Sequence, residues 1–387
     1  MNHRIHNPMA EATRLTREGK LHDATTLIQR TLAGLHAEDD AVVRVTGARP
    51  VPDALMPEHE LVDSLARVDT RPPVDVGATI ERALQDLPSH LSHRGVGAQA
   101  PGIAPHTPTV DSGGEFLAGS VTCGAGTRSY RLYIPDAYEG ELLPVVVLLH
   151  GCTQDAVDLA RGTRMNALAD RERFLVLYPE QSTNANGQRC WNWFKKGDQA
   201  RDAGEPSIIA ALTRQVMTTY AVDANRVYVA GMSAGGSMAA IMGTTYPDLY
   251  AAVGVHSGLP CGSAHDLPSA LGAMRSGANG RPMTPPVSMI VFHGSADTTV
   301  HPGNADMLVG SLRHGGQVST ETGRAPGGRS YTRSVYRHGE CHVEQWMVEG
   351  AGHAWSGGSP AGSFTDARGP DASAEMRRFF WEHPRRH

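Results

Sequence analysis

The chain has 387 residues, with 35 Lys and Arg against 40 Asp and Glu, for a formal net charge of −5. No long run of one sign occurs, which argues against a basic nucleic-acid or membrane-binding face. The length suits one large α/β domain plus an appendage, with a core that needs no metal or disulfide staple. Apolar runs such as Leu142 to Leu149 are far too short to cross a bilayer.

Residues 1–36 form a first segment. Leu21, Ala24, Leu27, Ile28, Leu32 and Leu35 recur at helical spacing. These N-terminal helices are the candidate contact for a partner or a granule. Residues 37–114 are rich in Pro, Gly, His, Asp and Arg and read as a partly disordered linker, with one helical candidate at Val76 to Leu87. The third segment, 115–387, carries the chemistry. Strands are predicted at Arg128–Ile134, Pro144–Leu149, Phe174–Tyr178, Arg226–Ala230, Ala251–His256, Val287–His293, Ser330–Tyr336 and Val343–Val348. Helices are predicted at Val157–Asp170, Glu205–Tyr220, Ser237–Met242 and Asp371–Trp381. Strands alternating with helices imply an α/β fold with a mostly parallel sheet covered on both faces. Such sheets place their sites at the carboxyl ends of strands.

The strand Arg226–Ala230 runs into Gly231-Met232-Ser233-Ala234-Gly235, and a small-residue helix follows. This is the G-x-S-x-G elbow in its strand–turn–helix context. The glycines let the turn close without clashing with neighbouring backbone. Ser233 is the candidate nucleophile, and it needs a base that is in turn oriented by an acid. In α/β-hydrolases the chain order is Ser, acid, His. Asp297 follows the strand ending at His293, where the acid belongs; Asp306 is its rival, and the bland alternative is a turn carboxylate. His353, on a Gly-flanked loop after the last strand, is the candidate base. Its rivals are His256, His293, His338, His342 and His383. The expected oxyanion donors are the backbone amides of Ala234, which follows the nucleophile, and Cys152, after the strand ending Leu148-Leu149-His150-Gly151. Trp191, Trp193 and Trp355 are candidate substrate-binding aromatics, with core packing as the alternative.

The five cysteines are Cys123, Cys152, Cys190, Cys261 and Cys341. Their number is odd and no C-x-x-C pair exists, so no zinc site is expected. Residues 1–10 lack an apolar leader-like run, so the expected location is cytoplasmic with reduced thiols. A Cys190–Cys261 bridge is the alternative. No cofactor or metal is expected, since the chain has no HExxH, no P-loop and no full G-x-G-x-x-G.

His150-Gly-Cys-Thr-Gln154, Leu177-Tyr-Pro-Glu-Gln181, Cys190-Trp-Asn-Trp-Phe194, Gly231-Met-Ser-Ala-Gly-Gly236, His256-Ser-Gly-Leu-Pro260, His293-Gly-Ser-Ala-Asp-Thr-Thr-Val300 and Gly352-His353 occur in this order. Together they resemble the polyhydroxybutyrate depolymerase family of esterases, which is itself similar to feruloyl and acetylxylan esterases. The resemblance covers about residues 115–383. It implies an α/β-hydrolase fold and a serine esterase, with poly(3-hydroxybutyrate) or its oligomers as the family substrate. It also implies Ser233, Asp297 and His353 as the triad. Alternative readings are a feruloyl or acetylxylan esterase, a serine peptidase of the prolyl oligopeptidase kind, and a non-catalytic hydrolase-like binding module. Many family members are secreted with a signal peptide and carry substrate-binding domains. Neither is seen here, so soluble oligomers, small esters or intracellular polymer are the expected substrates, with an extracellular location as the alternative.

Overall fold

A computed structural model describes residues 113–278, 285–310, 312 and 317–385. The readings of residues 1–36 and of nearly all of 37–114 lie outside the described residues. The strands are β1 (Glu115–Cys123), β2 (Gly126–Ile134), β3 (Leu143–Leu149), β4 (Leu175–Pro179), β5 (Val222–Met232), β6 (Ala252–His256), β7 (Ser288–Gly294), β8 (Gln317–Arg324), β9 (Ser330–His338) and β10 (Cys341–Val348). Two short strands, β11 (Trp355–Ser356) and β12 (Thr365–Asp366), pair with each other. The helices are α1 (Ala156–Thr163), α2 (Met165–Glu172), α3 (Gly204–Thr219), α4 (Ala234–Thr245), α5 (Leu267–Ser276), α6 (Gly303–Val309) and α7 (Ala372–Glu382).

Ten strands form one sheet in the order β1-β2-β4-β3-β5-β6-β7-β10-β9-β8. The middle, from β4 through β3, β5, β6 and β7 to β10, is parallel. Antiparallel strands extend it at both sides. The central strands are apolar throughout because both faces are covered: β3, β6 and β7 are buried at every position. Alternate residues of β5 enter opposite layers. Val227 and Val229 pack with α3 and α4, while Tyr228, Ala230 and Met232 pack with α1, α2 and α7. This is the α/β-hydrolase architecture expected from the sequence.

Several elements differ from expectation, and β1, β11 and β12 were not predicted. The predicted helix Val157–Asp170 is two helices, broken at Arg164, whose φ of 55° caps α1. Helix α5 went unpredicted, although Asp266 and Ser269 form a capping box at its start. The polar edge strand β8 also went unpredicted, because Val318 is its one apolar residue and no alternation marks it.

The α7 layer is tightly interlocked. Phe380 is fully buried and stacks on Tyr228 at 4.8 Å between ring centroids. Phe380→Ala is expected to cost about 3–5 kcal/mol, read as a lower urea midpoint with an unchanged m-value.

Candidate active site

The register of the parallel strands sets the site. Met232 of β5 pairs with His256 of β6, His256 with Phe292 of β7, and Gly294 of β7 with Val348 of β10. Ser233, Asp297 and the His353 loop all follow these aligned strand ends, so the topology brings them to one sheet edge.

Ser233 sits between β5 and α4 with φ 56° and ψ −120°, a conformation that L-residues rarely adopt. Its surroundings over-determine it. The Ser233 N–H donates to the His256 carbonyl at 2.9 Å, and the Ser233 carbonyl accepts from Ser237 N at 2.9 Å. The Ser237 hydroxyl donates to the same carbonyl and accepts from Leu259 N. A Cβ on Gly235 would lie 2.1 Å from the Leu149 carbonyl oxygen, and one on Gly231 would lie 2.4 Å from the Gly235 backbone. Both positions therefore require glycine, as the sequence suggested. Strain held in place this way is a pointer toward function.

Asp297 and His353 are joined directly, with His353 Nδ1 to Asp297 Oδ2 at 2.7 Å. The other carboxylate oxygen, Oδ1, accepts from Thr299 N and Val300 N at 2.9 and 2.8 Å. Burial pushes the Asp297 pKa up, but the hydrogen bond and charge of His353 and the Val300 amide outweigh it, and the net shift is downward. Asp297 is thus held as a carboxylate. The loop bearing His353 is fastened to β7: Ser295 N donates to the Val348 carbonyl and Ala296 N to the Ala351 carbonyl, each at 3.0 Å. Among the described residues, no hydrogen bond joins the Ser233 hydroxyl to His353. In unliganded sites such contacts are often long and tighten with substrate.

The rival residues have other partners. Asp306 accepts from Gln345 Nε2, and His342 bonds His383 at 2.8 Å. His293 lies behind the acid, its Nε2 donating to the Val300 carbonyl at 2.8 Å and 3.5 Å from Asp297 Oδ2. His256 is a structural hinge that sequence reasoning ranked low. Its carbonyl holds Ser233, its Nε2 accepts from Ser356 N at 2.9 Å, and its ring stacks on Trp355. It therefore ties the serine turn to the chain just past His353.

The loop after β3 carries the expected Cys152 donor. Gly151 N donates to Gln154 Oε1 at 3.0 Å, and Thr153 N donates to the Gln188 carbonyl at 2.7 Å. The Cys152 amide between them has no protein partner among the described residues. Ala234 opens α4, where first-turn amides have no intrahelical acceptor. Two unspent N–H groups thus flank the serine turn. A Cβ on Gly151 would sit 3.5 Å from Ser233 Cβ, so the loop lies against the serine.

The expectation of reduced thiols, and of Cys190–Cys261 as the alternative bridge, is corrected. Cys152 is disulfide-bonded to Cys190, and Cys261 is free. The pairing was not legible because the two cysteines lie 38 residues apart and meet only when the loops after β3 and β4 converge. Beside the bridge, Glu205 is buried at 3% exposure. It accepts from Gln181 Nε2 and from both Asn192 nitrogens. Burial raises the pKa of Glu205, and these donors oppose the shift.

The aromatic expectation also needs correction. Trp191 and Trp355 are 0% and 1% exposed, and Trp355 donates its indole N–H to Ser373. They are core side chains with no surface to offer a ligand. Trp193 keeps 6% exposure and packs edge-on against the half-buried Phe194.

Fold and site together define an α/β-hydrolase. Residues 128–333, over half of the chain, match the family model described as Esterase PHB depolymerase, and the chain belongs to that family. It is 32% identical over 228 residues to poly(3-hydroxyalkanoate) depolymerase C of Paucimonas lemoignei, a match covering 54% of each chain. The match thus spans about half the length of that relative. Feruloyl esterase B of Neurospora crassa is 29% identical over 256 residues, covering 59% of this chain and 85% of its own. Among solved structures, an acetyl xylan esterase from Aspergillus awamori shares the fold, with a TM-score of 0.52 and 21% identity, covering 61% of this chain and 94% of its own.

Burial holds two imidazoles near the site neutral. It lowers the His150 pKa to about 4 and, aided by the neighbouring His293 and His353, that of His256 to about 3. As pH falls below about 6.5, the unfolded chain binds protons at these positions before the folded one does, so stability is lost with acidification. The loss continues until the folded pKa values are reached. The urea midpoint is expected to drop between about pH 7 and pH 5, with a shallower slope in His256→Asn.

Proposed function

We propose that this protein hydrolyses carboxylic esters through an acyl-enzyme formed on Ser233. The hydrogen-bonded Asp297–His353 pair, set at the same sheet edge as the strained Ser233 turn, carries the reading. His353 takes the Ser233 hydroxyl proton as the oxygen attacks the ester carbonyl carbon. The carbonyl oxygen gains negative charge and is met by the amides of Cys152 and Ala234. Collapse of this tetrahedral species breaks the bond to the alcohol, which leaves with the proton from His353. Water then attacks the acyl-serine, His353 takes its proton and returns it to Ser233 Oγ, and the acid is released. Asp297 holds the imidazole tautomer and offsets its positive charge in both steps.

The substrate we favour is poly(3-hydroxybutyrate) or its oligomers. Family membership and the similarity to a poly(3-hydroxyalkanoate) depolymerase support this choice. The similarity to feruloyl esterase B supports a carbohydrate-linked ester as the second reading. Trp193 and Phe194 are the aromatic wall we assign to the acyl side. The Cys152–Cys190 bridge favours an oxidising, extracellular setting over the cytoplasmic one, because such bonds persist where thiols are not kept reduced.

Ser233→Ala is expected to lower kcat on p-nitrophenyl butyrate by about 10⁴-fold or more, with thermal unfolding nearly unchanged. Full activity in this variant would overturn the mechanism. Rates on amorphous poly(3-hydroxybutyrate), its soluble dimer and trimer, feruloyl esters and acetylated xylan decide the substrate class. Fastest turnover of the hydroxybutyrate trimer is the expected result, and a preference for acetylated xylan or feruloyl esters would replace it with the second reading.

A further inference from the structure

We propose that Arg189 is a specificity-determining residue that receives the free carboxylate of a short hydroxyalkanoate acid, on the alcohol side of the scissile ester. The inference deepens the esterase reading above and rests on it.

Arg189 lies on the loop after β4, and both of its neighbours tie that loop to the stretch after β3. On one side the Gln188 carbonyl accepts from Thr153 N at 2.7 Å, and on the other Cys190 is bridged to Cys152. The Cys152 and Cys190 Cα atoms are 4.2 Å apart. Consecutive Cα atoms are about 3.8 Å apart, so Arg189 Cα lies within about 8 Å of Cys152 Cα. An arginine side chain covers that distance. The backbone is constrained here: Arg189 has φ 54°, and its N–H closes a turn on the Asn186 carbonyl. Glycine or asparagine is the ordinary choice for such a corner, and a long charged side chain held there points toward function. The guanidinium is lightly engaged. Its Nη1 lies 3.5 Å from Asp155 Oδ2, with the two side chains 38% and 44% exposed. Asp155 has another task, since its Oδ1 caps α1 by accepting from Asp158 N. Among the described residues, Nε and Nη2 of Arg189 have no partner. That edge is the one with which Arg333 grips both oxygens of Glu344, and it matches a carboxylate. The other cations of the loop differ: Arg201 is bound to Asp248, and Lys195 and Lys196 have no tie to Cys152 among the described residues. The substrate supplies the complementary charge. In a 3-hydroxybutyrate oligomer the last ester oxygen carries CH(CH₃)–CH₂–COO⁻, so the carboxylate stands two carbons beyond that oxygen and departs with the alcohol. With the scissile carbonyl oxygen at the Cys152 amide, this group falls within reach of a cation held on the Cys152–Cys190 bridge. A solvated arginine beside a helix cap needs neither a strained corner nor a clamp on both sides.

The probe is 3-butyryloxybutyrate, whose acyl group is plain butyrate. It is compared with its primary amide, which is neutral and adds no second ester. Butyrate release gives kcat/KM for each, and the acid-to-amide ratio cancels any general loss of folding or catalysis. Wild type is expected to favour the acid by about tenfold, the scale of a hydrogen-bonded charge that stays partly exposed. Arg189→Gln should bring the ratio close to one, mainly through KM for the acid. Arg189→Lys keeps the charge but loses the two-pronged grip, and should fall between them. Arg189→Glu should favour the amide. High salt should shrink the wild-type ratio and leave that of Arg189→Gln unmoved. An equal ratio in wild type and Arg189→Gln overturns the proposal, and so does a wild type without preference for the acid. Failure of the underlying reading looks different. If Ser233→Ala still hydrolyses the probe, the acyl-enzyme mechanism fails. If feruloyl or acetylated xylan esters prove the better substrates while Arg189→Gln erases the ratio, the hydroxybutyrate substrate class fails and the carboxylate site stands.

Discussion

The Gly235 turn passes so close to the end of β3 that no side chain fits between them. This contact makes the site. It places the start of α4 against the Leu149–His150 backbone, so the amides of Ala234 and Cys152 come from elements that touch. The same closeness leaves Ser233 no ordinary backbone conformation and fixes it at φ 56°. Strain of this kind costs on the order of 1–3 kcal/mol and persists only where the surroundings enforce it. The His256 carbonyl, the Ser237 side chain and the buried strand ends supply that enforcement.

A second layer of order lies behind the loop after β3. The Cys152–Cys190 bridge, the Gln154 side chain and the Glu205 cluster all act on the same short stretch. Gln154 accepts from Gly151 and donates to Asp158 and to Ser363, which lies on the loop beyond His353. Glu205 is a buried carboxyl group that accepts from Gln181 and Asn192 and lies 3.6 Å from the Arg128 guanidinium. That is the arrangement a buried charge needs, because an unpaired one costs far more. Polar groups are usually expelled from an interior. Here they are retained and satisfied where the chain has to hold irregular backbone rigid.

The central strands were legible in the sequence because both their faces are buried, and a run such as Val145–Leu149 can read only one way. The elbow was legible because its glycines answer a local steric demand. Asp297 and His353 were reachable by chain order plus loop context. The histidine network was harder. His150 and His256 lie at strand ends like many bystanders, and only in the folded chain do their Nε2 atoms accept from backbone of distant loops, Gln181 N and Ser356 N. The tryptophans misled for a related reason. An aromatic next in sequence to a candidate site histidine can turn inward, as Trp355 does to stack on His256 and reach Ser373. The disulfide partners were likewise set by loop convergence rather than by spacing.

The His353 loop is pinned to segments made long before it. Ser356 bonds His256, Ser363 bonds Asp158, and Ser359 N donates to the Gly162 carbonyl. Trp355 rests on Ser373 of α7. The candidate site therefore ties together residues from 150 to 373. Contacts between segments so distant along the chain form slowly, so this sheet edge is the part of the fold that closes late.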